Sequence, residues 1–212
     1  MKYKDFRNFK IERNCTKKYI QYRSYLPYLG EDFKHRCAYC NMHDEIITEN
    51  YRVDHFIPQT VLINTDKESL MYDYNNLMYC CPKCNGTKSS QYKGNIHDGS
   101  YNNELFYNPV EVDYNKIFYR NEYGGISSED KKGKEMIINL KLFSPIYNFS
   151  FLIEEITETL EKLNKKIETT TDISEKEKYN EVYRRLDSFL LTIRRLFNSN
   201  YYNNSIRRNV SQ

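Results

Sequence analysis

Cys37-Ala38-Tyr39-Cys40, Val53-Asp54-His55-Phe56-Ile57-Pro58, Asn75-Asn76-Leu77, Cys81-Pro82-Lys83-Cys84-Asn85 and Lys88 follow one another between residues 37 and 88. Two Cys-x-x-Cys knuckles enclose a segment that holds an Asp-His pair and an Asn. Four thiolates in two knuckles, Cys37, Cys40, Cys81 and Cys84, suit a tetrahedral structural Zn²⁺. A compact zinc ribbon separates its knuckles by about 15–20 residues. Here forty residues intervene, so a further element must fold between them. Cys80 competes as a ligand, but Cys81 alone gives the two-residue spacing to Cys84.

The enclosed segment has a local plan. Tyr51 to Ile57 is rich in β-branched and aromatic residues and stops at Pro58, which predicts a strand. Residues 59–75 read as a connection too polar to be core. Leu77 to Cys80 predicts a second, short strand, and residues 85–93 a helix with Asn85 near its start. The order is strand, loop, strand, helix, with Asp54-His55 on the first strand.

Outside this segment the chain is support or contact surface. Residues 1–36 predict one or two helices, broken at Pro27 and Gly30. They carry ten bases against four acids, a local excess of six, interleaved with Tyr3, Phe6, Phe9, Tyr19, Tyr22 and Tyr25. Bases with aromatics suit a phosphate backbone; a solvated helix face with its aromatics in the core explains them equally well. Asp113 to Tyr119 predicts a strand, Gly124-Gly125 a turn into a short strand at Ile126, and residues 131–142 a helix burying Met136, Ile137 and Leu140. From residue 149 two amphipathic helices form an antiparallel hairpin. The first carries Leu152, Ile153, Ile156, Leu160, Leu163 and Ile167 on one stripe; the second buries Val182, Leu186, Phe189, Leu190, Ile193 and Leu196. Residues 1–34 thus form a basic, aromatic-rich helical arm, 35–145 the core with its trailing strand-turn-strand and helix, 149–199 the hairpin, and 200–212 a flexible tail.

Composition narrows the class. A chain of 212 residues with 29% charged residues, no Trp, 21 Tyr and 11 Phe is a globular protein with aromatics enough for a core. No apolar run approaches the roughly 18 residues that span a bilayer, and the N-terminus is charged where a signal peptide is apolar. These features predict a cytoplasmic protein with no membrane contact. In that reducing compartment Cys-x-x-Cys pairs point to metal rather than to disulfides. Cys15, isolated on the arm, reads as a small buried hydrophobe.

Together the knuckles, Asp54-His55 on a strand, Asn76-Leu77, Asn85 and Lys88 resemble the HNH endonuclease family with its ββα-metal fold. Eight residues separate Asn76 from Asn85, the spacing usual in that family between its middle Asn and its final His or Asn. The resemblance is close over residues 35–93, looser over 104–142, and does not cover the arm or the hairpin. It implies an α+β fold: a zinc-stapled ββα-metal core with an N-terminal helical arm and a C-terminal helical hairpin. It also implies roles. His55 would be the general base toward the attacking water, an imidazole being apt near neutral pH. Asp54 and Asn85 would hold one hard divalent cation through oxygen, Asn76 would orient the ring or brace its loop, and Lys88 would reach a phosphate. Many members have His where this chain has Asn85, and some have a second His where it has Ser89. The oxygen-rich set favours Mg²⁺ or Mn²⁺ over a transition metal. His97 remains as a candidate extra ligand, although a lone loop histidine is more often solvated, and His35 and His43 flank the first knuckle without a role.

The function implied is metal-dependent hydrolysis of DNA phosphodiester bonds; the motif alone does not choose between DNA and RNA, so an RNA-cutting toxin is an alternative. Members with helical additions often serve bacterial or phage defence, sometimes beside a partner ATPase, which makes the hairpin a natural docking or homodimer surface by analogy. A zinc-stapled nucleic-acid- or protein-binding module without catalysis is the competing reading. Such a scaffold would need only the cysteines, whereas this chain also carries Asp54, His55, Asn76 and Asn85.

Overall fold

The computed structural model describes residues 3–98 and 101–206. It divides into two compact units, Met1–Phe143 and Ser144–Gln212. The fold is α+β, with small sheets and a long helical hairpin.

At the heart of the first unit, β2 (Arg52–His55) pairs antiparallel with β3 (Leu77–Cys80). The register sets Arg52 opposite Cys80, Val53 opposite Tyr79, Asp54 opposite Met78 and His55 opposite Leu77. β3 is buried throughout, as its apolar run predicts. The chain then enters α3 (Pro82–Lys88). This helix starts three residues before the predicted Asn85. Pro82 sits in the first turn, where its missing N–H goes unneeded, and the Cys81 sulfur accepts the Cys84 N–H at 3.4 Å. α3 ends at Lys88 because Ser89 turns into the left-handed region with φ 47°.

The connection between the strands is more ordered than its polarity suggests. It forms α2 (Gln59–Leu62) and 3-10 helical turns at Glu68–Met71 and Tyr74–Asn76. Leu62, Met71 and Tyr74 are buried, so single apolar residues tie a polar loop to the core.

The arm departs from the helices predicted over residues 1–36. Its helical part is confined to a 3-10 turn at Tyr22–Tyr25 and α1 (Leu26–Asp32). Lys4–Asp5 forms β1, which pairs with β4 (Tyr119–Arg120), itself paired with β5 (Ile126–Ser127). Residues 6–21 carry no helix. Two arm arginines point inward: Arg7 Nη2 donates to the Ala38 carbonyl at 2.8 Å and Arg13 Nη2 to the Leu77 carbonyl at 2.6 Å. The Asn115 side chain accepts the Arg7 N–H and donates to the Arg7 carbonyl, replacing a strand partner. Such long-range ties fix an extended path that residue spacing cannot reveal.

Asp113 to Tyr119, predicted as one strand, is a 3-10 turn at Tyr114–Lys116 leading into β4. Gly124, at φ 74°, carries the turn from β4 to β5. α4 (Lys131–Asn139) is capped by the Asp130 carboxylate on the Gly133 N–H and buries Met136, with Leu140 buried just beyond its end and Ile137 half-exposed.

The second unit is α5 (Pro145–Thr169) and α6 (Ile173–Ile206), joined by a three-residue turn. Ile153, Ile156 and Leu160 of α5 are buried, as are Leu190, Ile193, Phe197 and Tyr201 of α6. Val182, Phe189 and Leu196, expected inside, are 45%, 49% and 42% exposed. The buried seam of α6 advances by three or four residues at a time. Positions 182, 189 and 196 recur every seventh and lie on an adjoining face. Helix α6 continues to Ile206, so the tail predicted from residue 200 is helical to that point; residues 207–212 lie outside the described residues. No helix among the described residues is long and apolar enough to cross a membrane.

Candidate active site

Zinc ligation fits the two knuckles. The sulfurs of Cys37, Cys40, Cys81 and Cys84 all lie within 4.8 Å of one another and all four residues are buried. A tetrahedral Zn–S₄ centre with bonds of about 2.3 Å places its sulfurs about 3.8 Å apart, and Cys40 and Cys81 are at 3.8 Å. Asn41, at φ 62°, folds the first knuckle back so that the Cys37 N–H reaches the Met42 carbonyl at 2.9 Å. Arg7 and Arg120 grip the same knuckle from outside through the Ala38 and Cys40 carbonyls. Cys80 is buried with its sulfur 4.0 Å from that of Cys37, yet it stands outside the four-sulfur cluster. Cys15, expected to be buried, is half-buried, with its sulfur 3.7 Å from the Lys17 carbonyl.

Beside the zinc frame, Asp54, His55 and Asn85 line one cleft of about 310 Å³ with Tyr22, Gln59 and Ser89. β2 presents Asp54 and His55 at its end, and α3 presents Asn85 from its middle turn. His55 Nε2 lies 3.0 Å from the Met71 carbonyl. A carbonyl can only accept, so Nε2 carries the proton and Nδ1 is the basic nitrogen. Burial pushes the His55 imidazole below its ordinary value, which keeps it neutral at neutral pH.

Asp54 is almost fully buried, and burial pushes its carboxyl above the usual range. Three contacts work against that. Lys88 Nζ lies 3.3 and 3.2 Å from the two carboxylate oxygens, and the Tyr39 hydroxyl donates to Oδ2 at 2.7 Å. Lys88 is completely buried and donates as well to the His55 carbonyl at 2.6 Å. It does not project toward the solvent-facing side of the cleft, as a phosphate contact requires. The reason is helical spacing: Lys88 lies four residues after Cys84 and shares its inward face.

Asn76 is fully buried outside the cleft. Its Oδ1 accepts the Ile57 N–H at 2.8 Å, and its Nδ2 donates to the Ile57 and Leu70 carbonyls, each at 3.1 Å. It clamps the chain immediately after His55 to the loop that supplies Met71. Asn76→Ala leaves these buried groups unpaired, and a single orphaned group costs about 1–3 kcal/mol. Urea denaturation is therefore expected to show a loss at or above the top of that range.

Sequence reasoning did not find Tyr39, Met71 or Tyr22. Tyr39 sits inside the first knuckle, where its position alone was a usable signal; the Met71 carbonyl and the Tyr22 ring reach the site only through tertiary contacts. His97 is exposed, 3.7 Å from Asp66, and does not line the cleft. His35 and His43 surround Asp44 on the surface, with His35 Nδ1 at 2.9 Å. A larger hollow of about 580 Å³, between arm residues 5–11 and the 109–115 loop, is lined by none of the motif residues.

Residues 37–91 match the family model of the HNH endonucleases. No curated protein and no solved structure matches the chain.

Proposed function

We propose that the protein, whose residues 37–91 match the HNH endonuclease model, is a metal-dependent nuclease that hydrolyses DNA phosphodiester bonds in the cleft between β2 and α3. The observation that carries this reading is the convergence of Asp54, His55 and Asn85 on one cleft beside a four-cysteine cluster. A binding module stapled by zinc would need only the cysteines.

His55 Nδ1 takes the proton of a water as its oxygen bonds to phosphorus and the bond to the leaving oxygen breaks. The Met71 carbonyl holds the Nε2–H and steadies the imidazolium that forms. Asp54 and Asn85 offer oxygen donors for one Mg²⁺ or Mn²⁺. When bound there, such an ion supplies Lewis-acid polarisation of the phosphate and stabilises the leaving oxygen. Lys88 and Tyr39 keep Asp54 ionised and aimed, so Lys88 acts through Asp54. Anti-phage defence, with the hairpin docking a partner ATPase or a second copy, is the biological setting that family analogy supports.

His55→Ala tests the reading. Plasmid cleavage with Mg²⁺ or Mn²⁺ is expected to fall by about 10²–10⁴-fold and to vanish with EDTA, with bound zinc unchanged. Folded, zinc-loaded wild type that binds DNA but cuts neither DNA nor RNA would instead indicate a binding module; cutting of RNA alone would indicate the toxin. Cleavage by the wild type should hold steady at and above neutral pH. It should decline as pH drops through the lowered His55 value, because the imidazole is then protonated and cannot accept the water proton.

A further inference from the structure

Tyr22 and Arg23 belong to the arm, outside the matched segment, and the motif calls for neither. The Tyr22 ring stands edge-to-face with His55, centroids 4.7 Å apart at 74°, and lines the cleft. The Arg23 guanidinium carbon lies 5.9 Å from the centroid of the Tyr22 ring, within cation–π reach. Arg23 is exposed and forms no ion pair recorded among the described residues. Its stretch of chain is nonetheless anchored. The Tyr19 N–H donates to the Tyr25 hydroxyl at 2.9 Å, and the Tyr25 ring packs on Tyr74 at 5.0 Å.

The cleft needs a cation at its mouth to hold a polyanion, and the lysine of the motif is buried against Asp54. Arg23 supplies a permanently charged, planar group suited to phosphate. Its neighbour Tyr22 also packs on His55, which sets Arg23 on the same side of the chain as the cleft.

We propose that Arg23, within cation–π reach of Tyr22 at the edge of the cleft, is its phosphate-binding residue, gripping the nucleic-acid backbone beside the scissile group, with Tyr22 as the positioning residue between Arg23 and His55. This inference rests on the cleft being a nuclease site.

Two measurements separate it from that reading. The first is the affinity for a fluorescent duplex DNA oligonucleotide across a salt series in EDTA, where no cutting is required. Loss of one phosphate contact is expected to lower the slope of log affinity against log salt by about one. Arg23→Ala should show that change, Arg23→Lys a smaller one, and Tyr22→Phe none, because the ring rather than the hydroxyl does the holding. The second is steady-state cleavage. Arg23→Ala should raise KM by about tenfold with kcat little altered, and Tyr22→Ala should raise KM and also lower kcat. A salt slope and KM unchanged in Arg23→Ala would overturn the proposal, as would a Tyr22→Phe protein as impaired as Tyr22→Ala. Wild type that binds but never cuts would count against the nuclease reading, and the salt slope would still decide on Arg23.

Discussion

Chelator-stripped protein loses the near-ultraviolet dichroism of its buried tyrosines and all cleavage, while keeping most of the helical signal that α5 and α6 contribute. This is the largest effect expected of any single perturbation. Structural zinc contributes about 10–16 kcal/mol of apparent binding energy at neutral pH, and a domain is stable by only about 5–15 kcal/mol. The four cysteines are the joint between the loop that carries Tyr39 and the strand-helix pair that carries Asn85 and Lys88. Without the ion nothing ties the four sulfurs to one another, and that joint opens. The hairpin contributes none of the four sulfurs and forms a compact unit of its own. Cys81→Ser should reproduce the result. Retention of the tyrosine signal after chelation would mean that the cysteines pack as an apolar cluster and that no ion holds the core.

Lys88→Met is expected to cost about 3–5 kcal/mol, the usual penalty for removing one partner of a buried ion pair, and to abolish metal-dependent cutting. Methionine fills similar space, so the loss comes from charge. Asp54 would be left almost fully buried with the Tyr39 hydroxyl as its main support. Its carboxyl, already raised by burial, would rise further. A carboxyl with a raised folded value binds its proton first in the folded state. The stability deficit should therefore stand in full above that value and narrow as pH falls through it toward the ordinary carboxyl range. Adding Asp54→Asn to Lys88→Met removes the stranded charge and should restore most of the stability without restoring cutting. Denaturation midpoints at two pH values check both statements; a Lys88→Met protein as stable as the wild type at neutral pH would mean that Asp54 is not ionised there.

The two halves of this site differ in how far the sequence reveals them. The knuckles, the strand bearing Asp54-His55 and the second strand are written in local patterns: fixed cysteine spacing, β-branched runs, a proline stop. The direction of Lys88 is a matter of helix phase. Moving the predicted start of α3 from Asn85 back to Pro82 places Lys88 one turn after Cys84 and turns it inward. The path of residues 6–21 depends on partners as distant as Asn115 and Leu77, which no window of the arm contains. Arg7, buried, and Arg13, half-buried, likewise turn inward two charges that composition credits to a phosphate-binding surface. Of the residues expected inside on α6, Leu190 and Ile193 are buried, Leu186 is half-buried, and Val182, Phe189 and Leu196 keep a seven-residue beat on an adjoining face, while Phe197 and Tyr201 complete the true seam unpredicted.

Cys81 is at once a zinc ligand, the cap of α3 and the residue next to the last rung of β3. On the ribosome the second knuckle emerges only after Asp54 and His55 have left the tunnel. Closing the four-cysteine cluster would thereby couple the start of α3, the placing of Asn85 in the cleft and the pairing of Lys88 with Asp54. If the proposed function holds, a chain whose knuckles have not yet closed has no built cleft in which His55 could work, and a cell short of zinc would accumulate an inert polypeptide rather than an active nuclease.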